Sequence, residues 1–180
     1  MTSQAEFGEL VTLLKRAHVL GTVGELLGWD EQVNLPPGAA DQRAAQHAVL
    51  AEAQHAAVSH PRIGELLEIF EGRRARAATA SFDPDGLTIV AQARRDYDRA
   101  TRLPAEFVRE KAAQGSRGYH AWARAKAADD FASYAPVLEK NLELARREAG
   151  YLGCGDAPYD YMLDKYDPGL TAATVDRLFG

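Results

Sequence analysis

Cysteine occurs once in these 180 residues, at Cys154, so no disulfide can close within the chain, and the stapled scaffolds of small secreted proteins are excluded. The lone thiol fits a reducing compartment. Long apolar runs are missing as well: nowhere do eighteen apolar residues follow one another, so no membrane span is expected. The opening residues, Met1-Thr2-Ser3-Gln4-Ala5-Glu6, lack a basic segment followed by an apolar one, so no secretory leader is expected and the cytoplasm is the default. Alternation of period two is absent, which argues against a sheet. A surplus of positive charge is also absent, with 21 Lys and Arg against 26 Asp and Glu. Binding to nucleic acid rests on neutralising phosphates, so that class of partner is disfavoured despite the local Arg73, Arg74 and Arg76.

What is present is helical patterning in a chain of ordinary globular composition, 46% hydrophobic and 26% charged. The expected architecture is all-α, a multi-helix, bundle-like region treated as one unit from 1 to 180. Its helices are expected near 4–29, 39–59, 62–70, 84–101, 104–128, 134–150, 159–166 and 172–179. The first carries apolar residues on two faces, which predicts a central, buried position. Its glycines, Gly21, Gly24 and Gly28, predict close approach of another backbone. Pro36-Pro37-Gly38 separates it from an alanine-rich second helix. Glu71 to Ala80 is the least ordered-looking stretch. Asp83 and Pro84 read as a helix start, and Gln114-Gly115-Ser116-Arg117-Gly118 predicts a kink in the fifth helix. Ser133 reads as the cap of the sixth, whose core face is expected at Leu138, Leu142, Ala145 and Ala149. Thr171 reads as the cap of the last, which ends on Val175, Leu178 and Phe179.

Side chains able to do chemistry are few. The histidines at 18, 47, 55, 60 and 120 never form the His-Glu-x-x-His pattern that sets two imidazoles and a general base on one helix face. His55 and His60 straddle a helix end and read as ordinary surface residues. Asp156, Asp160, Asp164 and Asp167 recur about once per helical turn, a spacing that could attract a hard cation, but a solvated acidic face is the reading the pattern favours. Trp29 beside Asp30 could offer a ring and a carboxylate to a ligand. A tryptophan just before a double proline more often plugs a core, and burial of Trp29 is the expectation. His120 and Trp122 are read the same way. Cys154 lies between glycines with no basic neighbour to activate it.

Several stretches taken together resemble one family. Leu27-Gly28-Trp29-Asp30 followed by Pro36-Pro37-Gly38-Ala39-Ala40-Asp41-Gln42-Arg43 is similar to the opening signature of the carboxypeptidase Taq family of metallocarboxypeptidases. So are Arg94-Arg95-Asp96-Tyr97 through Leu103-Pro104, His120-Ala121-Trp122, Asp130-Phe131 through Lys140, and Pro158-Tyr159-Asp160 through Thr171. The resemblance implies the N-terminal region of a larger all-helical peptidase that uses zinc or cobalt to remove residues from the C-termini of peptides. In that family a His-Glu-x-x-His helix and a later glutamate hold the metal, all downstream of the stretches matched here. No catalytic, cofactor or metal residue is therefore assigned in this chain, and the catalytic region is expected to be absent from it. Trp29, Asp30, Arg43, His120, Trp122 and Tyr159 stand as cleft-lining or structural anchors of a wall or lid. Peptide substrate would be met only through the downstream region. The alternative is a free-standing helical interaction module or regulatory partner derived from such an enzyme. The apolar last helix further predicts a homo-oligomer.

Overall fold

A computed structural model describes residues 2–75, 84–154 and 157–180, and among these every regular element is helical. The α-helices are α1 (Thr2–Val33), α2 (Ala40–Val58), α3 (Pro61–Ala75), α4 (Pro84–Arg102), α5 (Ala105–Ala127), α6 (Phe131–Leu152), α7 (Pro158–Tyr166) and α8 (Ala172–Phe179). A single 3-10 turn, Pro37–Ala39, joins α1 to α2. Asp83, Arg76 and Asp156 lie outside the described residues, as does the stretch from Arg76 to Ala80. The chain forms two compact units, Met1–Arg117 and Gly118–Gly180, the division falling inside α5.

The core of the first unit is built on α3. Ile63, Leu66, Leu67 and Phe70 follow the i, i+3, i+4, i+7 spacing of one helix face and are all buried. They meet Leu10 of α1 and Ala93 of α4, with Phe7, Leu13, Leu14, Val90 and Tyr97 packed around them. Phe7 and Phe70 meet edge to face, 6.3 Å between centroids. Each such side chain contributes about 1.5–3 kcal/mol by leaving water. The rim carries bidentate ion pairs, Arg62 to Glu9 at 2.8 and 3.0 Å and Arg94 to Glu71 at 2.8 and 3.1 Å. These fix register between helices more than they stabilise, because exposed pairs are worth at most about 1 kcal/mol.

The first helix departs from expectation. Instead of being buried on several faces, α1 packs on α2 and α3 and leaves Val19, Val23, Leu26, Trp29 and Val33 exposed along one stripe. Its glycines do not admit a backbone either. A Cβ on Gly21 would meet the Gln54 side chain at 2.8 Å, and one on Gly28 would meet nothing. The close approach lies at Gly64 of α3, where a Cβ would sit 2.5 Å from the Tyr97 hydroxyl oxygen and 2.8 Å from its ring carbon Cζ. Gly64→Ala should therefore displace Tyr97 from the core and cost about 1–3 kcal/mol, the usual penalty of overpacking. An unchanged denaturant midpoint would show that Tyr97 moves aside freely.

In the second unit the α5–α6 connection turns on Asp129, whose φ of 51° is left-handed. Asp130, not Ser133, caps α6: its carboxylate accepts from the Ser133 amide at 3.1 Å. The buried face of α6 is Leu144, Glu148, Ala149 and Leu152, while Leu142 is exposed. Of the face expected at Leu138, Leu142, Ala145 and Ala149, only Ala149 is buried, because the helix turns Leu144, Glu148 and Leu152 inward instead. Gly153, left-handed at φ 72°, stops the helix by donating to Ala149 and Gly150 carbonyls. The Thr171 hydroxyl accepts from the Thr174 amide and caps α8.

Candidate functional site

The polar residues of the first unit converge where the end of α1 meets α2 and α5. On α2, Arg43, Gln46 and His47 fall at i, i+3 and i+4, and so share one face. On α1 the adjacent Asp30 and Glu31 receive them. The Arg43 guanidinium is buried; it donates to the Asp30 carboxylate, to the Leu27 carbonyl at 2.7 Å and to Gln46 Oε1 at 2.9 Å. Arg43, with support from Asn34, holds the Asp30 carboxyl below its ordinary range. A depressed folded value means that the pair stabilises above the ordinary carboxylate range and loses that contribution as pH falls through the lowered value.

Glu31 is 8% exposed and sits behind this pair. Its Oε2 accepts from His47 Nε2 at 2.9 Å, and its Oε1 accepts from the Ser116 hydroxyl of α5 at 2.5 Å. Ser116 belongs to the glycine-flanked stretch that predicted a kink, yet α5 runs unbroken from Ala105 to Ala127. A small residue there lets the hydroxyl reach Glu31. Three helices are thus tied by one buried carboxylate.

The structure brings Asp30 and Arg43 together and leaves Trp29 apart from the core. Trp29 is 59% exposed, which corrects the expectation that it fills the interior. Because α1 continues to Val33, the ring sits on a helix face and not at a helix end packed under the double proline. In the second unit His120 and Trp122 flank Tyr119, with ring centroids 5.3 and 6.1 Å away, and Trp122 is exposed, which corrects the expectation that it too fills a core. Tyr159 is exposed on α7. Sequence reasoning missed Glu31, His47, Ser116 and Glu148. The signal that could have found the first two was the pairing of Asp30 and Glu31 with two basic-capable residues four apart on α2. Glu148 is buried beside the Tyr161 hydroxyl, 3.4 Å away, and Lys165 Nζ, 3.7 Å away.

The sequence matches the carboxypeptidase Taq (M32) metallopeptidase family over residues 9–180. The chain belongs to that family. Thermostable carboxypeptidase 1 of Pyrococcus furiosus is 32% identical over 171 residues, a match covering 95% of this chain and 33% of the relative. Among solved structures, that of BsuCP superposes with a TM-score of 0.87 at 27% identity, covering 97% of this chain and 34% of that one. The M32 carboxypeptidase of Deinococcus radiodurans R1 gives 0.72 at 35% identity over the same shares. The chain spans about a third of the length of these M32 relatives.

Membership implies a metal for the family, and the described residues do not fit one. Asp160 accepts from the Ala172 amide at the start of α8 at 2.8 Å and Asp164 from the Gly169 amide at 2.9 Å, so both carboxylates are engaged by backbone. His55 donates to the Ala100 carbonyl at 3.0 Å, whereas His60 accepts from the Arg62 amide. Among the described residues no three His, Cys, Asp or Glu side chains gather as a ligand set. No helix among them is long and apolar enough to cross a membrane.

Proposed function

We propose that this chain forms the N-terminal wall or lid of the substrate cleft of a metal-dependent carboxypeptidase, which removes C-terminal residues from peptides. Bond cleavage then depends on residues outside these 180. The observation that carries this reading is the match to M32 carboxypeptidases over nearly all of this chain but only a third of theirs. The sequence itself holds no His-Glu-x-x-His, the arrangement that would place a zinc or cobalt ion and its activating glutamate. In this reading Trp29, Asp30, Arg43, His120, Trp122 and Tyr159 shape or brace the wall. A chimera joining this chain to the remaining two thirds of the Pyrococcus furiosus carboxypeptidase tests it. The expected result is a metal-loaded protein that shortens peptides from the C-terminus. A folded, metal-loaded chimera without that activity would refute the reading.

We also propose that the 180-residue chain by itself forms a homo-oligomer. Leu178 and Phe179 are 70% and 87% exposed on α8, and apolar side chains of that size favour burial by about 1.5–3 kcal/mol each. Light scattering over a concentration series should show association that Leu178→Glu with Phe179→Glu abolishes. A monomer at every concentration would rule it out.

A further inference from the structure

At the α5–α6 corner of the second unit, Trp122, Ala125, Lys126, Asp129, Asp130, Phe131 and Tyr134 line an open pocket of about 190 Å³. We propose that this pocket binds a guanidinium group, the side chain of an arginine carried on a peptide. The lining combines the two features that such a cation needs. Three aromatic side chains line it, Trp122, Phe131 and Tyr134, whose ring quadrupoles can attract a cation, and the neighbouring Asp129 and Asp130 carboxylates offer a charge-assisted partner for a planar fork of N–H donors. Lys126 shows that the attraction operates here, because its Nζ already lies 4.9 Å from the centroid of the Trp122 ring. With no visiting cation, Lys126 covers that ring; a guanidinium stacks more favourably on flat rings than an ammonium does, and displaces it. The volume suits the ligand as well, since a single water needs roughly 10–15 Å³, leaving room for a guanidinium with its methylene stem.

Local structure holds the carboxylates in place for this task. Asp129 occupies a left-handed conformation at φ 51°, which few side chains tolerate, and Asp130 is oriented by its cap to the Ser133 amide. Neither role needs a charge. Asparagine adopts the left-handed region readily and is as good an N-cap as aspartate, so neutral replacements preserve the corner and remove only its electrostatics.

Trp122 is shared with the proposed cleft wall, but the inference does not rest on the peptidase reading and its test needs no catalysis. In the 180-residue chain carrying Trp29→Phe, Trp122 is the sole tryptophan, and its emission is followed while Nα-acetyl-arginine amide is added. Saturable change is expected, with the isosteric but neutral Nα-acetyl-citrulline amide binding at least about tenfold more weakly, the loss of one charge-assisted contact. Asp129→Asn with Asp130→Asn should weaken arginine binding by a similar factor, while Lys126→Gln should tighten it by about twofold to fivefold by removing the resident competitor. Equal binding of arginine and citrulline derivatives, absence of saturation, or weaker binding by Lys126→Gln would each overturn the assignment. The citrulline comparison needs no corner variant, so it remains decisive whatever those variants do.

Discussion

Glu31→Ala should lower the stability of the chain by about 3–5 kcal/mol. The substitution strands two partners at once, the buried Ser116 hydroxyl and the half-buried His47 ring nitrogen, and a buried polar group left without its acceptor costs about 1–3 kcal/mol. Glu31→Gln should cost less, because the amide oxygen can still accept from Ser116. The decisive comparison is a double-mutant cycle with Ser116→Ala. Removing the hydroxyl leaves Glu31 its contact with His47, so Ser116→Ala alone should cost about 1 kcal/mol. Once Glu31 is gone, Ser116→Ala removes a stranded group and should cost nothing or stabilise. Non-additivity of about 0.5–3 kcal/mol in urea melts is expected for residues sharing one network. Additive losses would mean that the hydroxyl and the carboxylate do not act together, and that α5 is held to α1 by apolar contact alone.

This network explains much of what was and was not legible in the sequence. Helix periodicity and proline punctuation suffice for the all-α class, because they report local propensity. The family was readable in stretches such as Leu27-Gly28-Trp29-Asp30 and His120-Ala121-Trp122. What periodicity cannot report is which apolar face meets another helix. α1 carries apolar residues on two faces, and the structure buries Leu10 and Ala17 while leaving Val23, Leu26 and Trp29 exposed. On α6 an apolar stripe cannot reveal a buried charge: Glu148 is buried beside Tyr161 and Lys165, partners that lie thirteen or more positions away. Ser116 likewise looked like a helix weakener, since its value comes from a carboxylate eighty-five positions earlier. Of the candidate anchors, Asp30 and Arg43 were found as separate members of a signature. Only the folded arrangement of α1 against α2 makes them a pair.

The second large effect concerns activity, and it is all or none. Hydrolysis of a peptide bond by a metallopeptidase needs an ion held by about three protein ligands and a water whose pKa that ion lowers to about 7. In this chain Asp160 and Asp164 are committed to backbone amides, and His55 and His60 to separate partners. The most direct test is to dialyse the purified 180-residue chain against zinc or cobalt, measure bound metal, and follow an unstructured peptide by mass spectrometry. Less than stoichiometric metal and a peptide of unchanged length are expected, with shortening restored only in the chimera that supplies the remaining two thirds of a relative. Stoichiometric metal together with metal-dependent release of C-terminal residues by the chain alone would contradict it.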